Sequence, residues 1–408
     1  MTSSEQAPAR GRAQVVERPR RLAVRGERLF DGARSSDGAG PVVLVEGTTI
    51  VAVLEGAPPA DAEVVDFASA TLLPGLVDTH VHLAFDASRD PVAALAGQDD
   101  DAVIAAMVAA ARTAVLGGVT TVRDLGDRDY LSLGLRGRAD LPTIVAAGPP
   151  VTTPLGHCHF LGGEVADSVD AVRQAVRDHA DRGCDVIKVM SSGGTMTPGT
   201  RQEEAQFARD VLCAAADEAH RLGLPVTAHA HGTDAIENCL AAGVDGMEHV
   251  SFWTADGVDD RPDLRQAIAD RGVVVGATAG LLPLPPGFAP PPAVLARAAK
   301  FIANTRDMVE RGAVVVAGTD AGIAPVKPHD VLRHAVAQLG DLGMTRQQAL
   351  ETATSRAARA IGLGDRKGRL AAGYDADLLV VDGDPLADPT AIHRIRAVFS
   401  RGRCVTGP

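Results

Sequence analysis

The chain has 408 residues, 46% of them hydrophobic but only 3% aromatic, so its core must be built from Ala, Val, Leu and Ile and can fill one large domain plus a smaller one. Lys and Arg number 40 against 52 Asp and Glu, a net charge of −12 spread along the chain, which argues against nucleic acid or an anionic membrane as partner and favours small molecules. Five scattered cysteines without a CxxC pair exclude a disulfide framework, and no apolar run of signal or membrane-spanning length is evident, so a soluble cytoplasmic protein is expected.

Residues 1–20 read as a loose, Arg-containing tail. From 21 to 73, short β-rich pieces (RLAVRG, PVVLVEGTTIVAVLE, AEVVDF, ATLL) are broken by Gly, Asp and Pro, which predicts meandering strands. From 74 to 363 the rhythm changes, and apolar strand candidates alternate with helical stretches, the pattern of a parallel sheet. Eight strands are expected: Leu76–His82, Val119–Asp124, Thr143–Ala147, Asp185–Met190, Pro225–His229, Gly243–His249, Val273–Ala277 and Ala313–Asp320. Eight is the number that closes a barrel. Helices are predicted over Asp99–Leu116, Ser168–Arg182, Ala205–Leu222 and Thr345–Ile361, the last N-capped by Thr345. The β rhythm returns over 364–408, in GRLAAGYDADLLVVDGD and IRAVFSRGRCV, and the two terminal β blocks are expected to pair into one small composite β-sandwich. The fold class is therefore α/β, a (β/α)8 TIM barrel with that β-sandwich beside it.

Potential metal ligands recur at the ends of the apolar runs: His80 and His82 in LLPGLVDTHVHL, Lys188 in DVIKVMSSGG, His229 in PVTAHAHG, His249 in GVDGMEHVSF and Asp320 in AVVVAGTDAG. Residues i and i+2 of a strand share a face, so His80 and His82 can reach one ion. The ends of parallel barrel strands are where such folds carry their catalytic groups. Lys188 is flanked by Val186, Ile187, Val189 and Met190, where desolvation favours the neutral amine that can take up carbon dioxide. A lysine in an arbitrary strand would instead snorkel to the surface. His229 and His231 fall on one face, with His231 left to line the pocket. The loop PLGHCHFLGG brings together His157, Cys158 and His159 without a fourth partner for a closed zinc site, so His157 is expected to face substrate. The proline-rich LLPLPPGFAPPP could wall an apolar pocket, and Arg123 and Asp124 could orient the site.

With LLPGLVDTHVH, VIKVMSSGG, AHAHG, EHVSF, AGTDAG and GRLAAGYDADLLVVDGDP in this order, the chain resembles the amidohydrolase superfamily, in its imidazolonepropionase-like and prolidase-like branch. The resemblance implies two divalent ions, with zinc as the first choice, bridged by carboxylated Lys188. It implies that His80, His82 and Asp320 bind one ion and His229 and His249 the other. Asp320, His249 and Lys188 then form the catalytic set, and Asp320 exchanges a proton with the bridging hydroxide that attacks the substrate, while His157 and His231 contact substrate. The implied activity is hydrolysis of a C–N amide bond in a dipeptide or N-acyl amino acid. A cyclic amide such as an imidazolone stands second, phosphate-ester chemistry third for want of an Arg or Lys cluster, and a mononuclear deaminase conflicts with the placement of Lys188. A non-catalytic scaffold is disfavoured because every ligand position is filled. Homo-oligomeric assembly is left open.

Overall fold

The structure, a computed structural model, describes residues 21–36, 38, 40–284, 286 and 292–407. The expected tail at 1–20 lies outside the described residues, as does half of the proline-rich stretch of LLPLPPGFAPPP, at 285 and 287–291.

Eight parallel strands carry the larger part of the molecule: β1 (Leu76–Val81), β2 (Val119–Asp124), β3 (Thr143–Ala146), β4 (Ile187–Met190), β5 (Val226–Gly232), β6 (Gly246–Trp253), β7 (Val274–Thr278) and β8 (Val314–Gly318). They form two parallel sheets, one of β3, β2 and β1 and one running from β4 to β8 in sequence order. A single parallel bridge joins Val81 to Ala321 at one seam, and another joins Val151 to Val189 at the other. Most of these strands are buried along their whole length, as expected of parallel strands covered on both faces, which is why they read as continuous apolar runs.

The connecting helices start where their caps predict. The Asp99 side chain caps Asp100–Leu116, the Ser168 side chain caps Val169–Arg182, and Thr345 forms a capping box with Gln348. Two predicted helices need correction. The segment 345–361 is two short helices, Arg346–Thr352 and Ser355–Ala360, because Thr354 between them leaves helical geometry at φ −135° and ψ −104°. The helix expected from Ala205 starts at Arg209, because Gln206 is drawn back into the preceding loop, where its backbone N–H donates to the Ser191 carbonyl.

The chain ends form two further sheets. One comprises Thr49–Glu55, Pro41–Glu46, Arg21–Arg25 and Ala62–Asp66. In the other, Leu378–Asp382 pairs antiparallel with Ala70–Pro74, so segments about three hundred residues apart share one ladder. Val24, Val43, Ile50, Leu72, Leu378, Val380 and Phe399 bury one common core between the sheets. Among the described residues no helix is long and apolar enough to cross a membrane.

Candidate metal centre

His80 and His82 point from β1 to the same side, and their Nε2 atoms lie 3.3 Å apart. The Asp320 Oδ1 atom sits 3.4 Å from the first and 3.2 Å from the second. The opposite ring nitrogens are occupied: His80 Nδ1 is 3.0 Å from Glu248 Oε2, and His82 Nδ1 is 3.2 Å from the Gly126 carbonyl. Both rings thus turn Nε2 towards Asp320, the orientation that outer hydrogen bonds give to histidine ligands. Burial, helped by the field of Lys188, draws His80 down to about 4, so its ring is neutral and able to ligate. Burial alone would raise the Asp320 carboxyl, but His80, His82 and Lys327 hold it well below the usual carboxylate range.

A second group comprises His229 and His231 at the end of β5 and His249 on β6, whose donor atoms lie within 4.8 Å of one another. His229 uses Nε2 on the Gly193 carbonyl at 3.0 Å, and His249 uses Nδ1 on Thr278 Oγ1 at 3.1 Å, so each keeps one nitrogen for another partner. His231 keeps neither: Nδ1 meets Ser251 Oγ at 2.8 Å, and Nε2 meets Gln202 Nε2 at 3.0 Å. Burial depresses all three imidazoles, His231 to about 3. The backbone here departs from regular strand. His249, Val250 and Phe252 have φ of +72°, +47° and +55°, and the register with β5 shifts between Ala230 and Gly232. Positive φ at a β-branched valine is a strained conformation that surrounding structure must impose.

Lys188 on β4 is 1% exposed, and its side-chain amine has no hydrogen-bond or ion-pair partner among the described residues. Burial pushes its ammonium pKa down, against the opposing pull of Glu248 and Asp320. Its charge would act on His80 in the first group and on His229, His231 and His249 in the second. An unpaired buried ammonium costs several kcal/mol, so the neutral amine is favoured. The donor set therefore fits two divalent ions: neutral imidazoles, an ionised carboxylate and a buried amine free to become an anionic carbamate.

His157, from the loop after β3, lies beside the second group with its ring centroid 4.7 Å from that of His229 and tilted 43° to it, and burial lowers it to about 4. Cys158 is buried with its thiol pushed up to about 12, while His159 turns its Nδ1 back onto the Gly156 carbonyl at 3.0 Å. Arg123 is a buried support: Nε donates to the Thr79 carbonyl at 2.7 Å and Nη2 to Glu248 Oε1 at 2.9 Å. Asp124 Oδ1 accepts a long bond, 3.4 Å, from the Gly126 N–H.

Sequence reasoning missed Glu248 and Gln202. Glu248 is fully buried against Arg123, Thr227 and His80, and a Cβ on Gly276 would lie 1.8 Å from its Oε2, so only glycine leaves it room. The signal was a charged residue in the apolar run GVDGMEHVSF, adjacent to the more conspicuous His249. Gln202 lies in an irregular loop, where no periodicity marks it.

A model of the amidohydrolase family matches residues 71–405. An ochratoxinase of Aspergillus niger is 28% identical over 376 residues, covering 83% of this chain and 76% of its own. An imidazolonepropionase of Deinococcus radiodurans is 28% identical over 357 residues, covering 80% and 81%. A prolidase solved in complex with N-methylphosphonate-L-proline superposes with a TM-score of 0.80 at 26% identity, over 95% of this chain and 100% of that one.

Proposed function

The chain belongs to the amidohydrolase family and is a hydrolase of carbon–nitrogen bonds, and from that premise we propose that it cleaves the amide bond of a dipeptide or N-acyl amino acid at a pair of divalent ions. The observation that carries this reading is Lys188, whose buried side-chain amine has no hydrogen-bond or ion-pair partner among the described residues and lies within electrostatic reach of both histidine groups. His80, His82 and Asp320 would hold one ion and His229 and His249 the other, with carboxylated Lys188 between them and zinc as the metal. Ions bound there would lower the pKa of a water and polarise the substrate carbonyl.

Asp320, kept ionised by its neighbours, accepts a proton as the nucleophile forms and returns it to the leaving nitrogen. His157 and His231, both outside the ligand set, meet the substrate. Support for a dipeptide or N-acyl amino acid comes from the prolidase likeness, solved with a proline derivative. The imidazolonepropionase relative supports a cyclic amide as the second reading. A deaminase with one ion leaves Lys188 without a task.

The two parallel sheets are read as one closed (β/α)8 barrel at 74–363, supported by the parallel bridges at both seams. Residues 21–73 and 364–408 are read as one composite β-sandwich domain, supported by their shared ladder and core.

The test is metal content of protein purified with bicarbonate, measured beside Lys188→Ala, followed by a screen of dipeptides and N-acyl amino acids for amine release. Two ions per chain, lost in the variant, is the expected result. One ion, unchanged by Lys188→Ala, would overturn the bridge and favour mononuclear chemistry.

A further inference from the structure

The loop after β4, residues 191–206, touches three histidines of the site at once. The Gly193 carbonyl accepts from His229 Nε2 at 3.0 Å. Thr197 Oγ1 accepts the Cys158 N–H at 2.8 Å and lies 3.2 Å from His157 Nδ1, to which its own proton can be donated. Gln206 Oε1 accepts the His157 N–H at 2.6 Å, and Ser192 Oγ accepts the His231 N–H at 3.0 Å. Gln202 Nε2 reaches His231 Nε2 at 3.0 Å.

This loop is braced before it meets the histidines. The Gly193 N–H donates to the Glu204 carbonyl at 3.0 Å, the Gln206 N–H donates to Ser191 O at 2.9 Å, and Thr200 Oγ1 clips the turn at Gly194. Two glycines permit the close approach: a Cβ on Gly194 would lie 2.2 Å from the His157 ring, and one on Gly232 would lie 2.4 Å from the Glu203 carbonyl.

The consequence concerns His231. By position it belongs with His229 and His249, and its ring stacks on His249 at 4.2 Å, so it could serve as a third nitrogen ligand. An amide NH2 can only donate, so Gln202 engages the Nε2 lone pair and leaves the ring proton on Nδ1, facing Ser251 Oγ. A lone pair used in this way is not offered to a cation.

We propose that Gln202 is the positioning residue that keeps His231 off the metal ions and holds it, in one tautomer, as a side chain that lines the substrate pocket. The inference rests on the two-ion reading above, and its test separates the two. Zinc-loaded protein with 15N-labelled histidine would be compared by NMR with Gln202→Leu, and metal content and amide hydrolysis would be measured on the same samples. In the native protein the expected His231 signature is a proton on Nδ1 and an unligated Nε2. Gln202→Leu is expected to release Nε2 to the metal and raise KM about ten-fold while metal content stays at two ions. Gln202→Glu, which can still hold Nε2 by accepting its proton, is expected to keep His231 unligated with the proton moved to Nε2, and to recover much of the KM. A His231 already ligated in the native protein, or a Gln202→Leu variant with unaltered His231 resonances and KM, would overturn the proposal. Native protein with fewer than two ions would instead count against the two-ion reading, and the His231 tautomer in the same spectra would still decide the role of Gln202.

Discussion

Replacing Arg123 with Met tests whether the site is held together by buried charge. Glu248 is 1% exposed and has three partners, Arg123 Nη2 at 2.9 Å, Thr227 Oγ1 at 2.8 Å and His80 Nδ1 at 3.0 Å. Burial works against its ionised form, and His80, Arg123 and Lys188 overcome that to hold it below the usual carboxylate range. Met fills a similar volume but leaves the carboxylate without its one permanent cation. It also removes the donor to the Thr79 carbonyl in the strand that carries His80. Removing one partner of a buried ion pair costs about 3–5 kcal/mol. Unfolding entropy for 408 residues is about 0.9 kcal/mol/K, so the Tm of the metal-free protein should fall by about 4–6 °C. The assay is calorimetry of chelator-treated protein, with Arg123→Met, Glu248→Gln and the double variant in parallel. The neutral amide introduced by Glu248→Gln can still accept from Thr227, so the double variant should recover part of the loss. A fall of less than about 1 °C in the single variant, or a double variant worse than the sum of the singles, would refute the reasoning.

Gly276→Ala should act on the same carboxylate by steric means. The added Cβ would lie 1.8 Å from Glu248 Oε2, and relief by moving Glu248 off His80 costs about 1–3 kcal/mol of stability and loosens the hydrogen bond that orients the His80 ring. Metal affinity measured by competition with a chelator should drop about ten-fold, and unchanged affinity would show that Glu248 is not needed to aim His80. A pH prediction comes from His393, which burial and His334 draw down to about 4. The unfolded chain takes up that proton below about 6.5 whereas the native protein does so only near 4, so the contribution is present above pH 6.5 and lost as pH falls through that window. His393→Asn should therefore flatten the decline of Tm between about pH 6.5 and 4, and an identical slope in both proteins would sink the assignment.

Much of this architecture was legible because parallel strands buried on both faces must be apolar throughout, and side chains that break such a run stand out. His80, Lys188, His229 and Asp320 are conspicuous for that reason, and the structure gathers them at one end of the parallel strands. The α/β class followed from the alternation of strand and helix. What was not legible depended on contacts between distant segments. The kink at Thr354 has no breaker residue to announce it, since neither Ala353 nor Thr354 is a proline or glycine. The late helix start at Arg209 reflects a hydrogen bond from the His157 N–H to Gln206, and the position of His157 comes from another loop. Gln202 is one polar residue among several in RQEEAQ, and its importance lies only in what it touches.

The backbone of the site carries a further lesson. Asp320 adopts φ +60° while its N–H donates to the His80 carbonyl at 2.7 Å, so the residue is tied to the strand of the histidines with which it shares the first group. His249 adopts φ +72° where Gly would be the favoured residue. Local preference would place neither Asp nor His in these conformations without return, and Val250 at φ +47° still less. Sequences agree with their fold at every level except where chemistry demands otherwise. These departures fall in the middle of β6 and just past β8, and His249 and Asp320 belong to the two different groups of candidate ligands. A substitution of His249 or Asp320 by glycine should therefore be less damaging to stability than to metal binding, because it relieves strain while removing a donor. Calorimetry and metal content on His249→Gly and Asp320→Gly would separate the two effects, and a loss of stability in metal-free protein as large as that from Arg123→Met would contradict the assignment of strain.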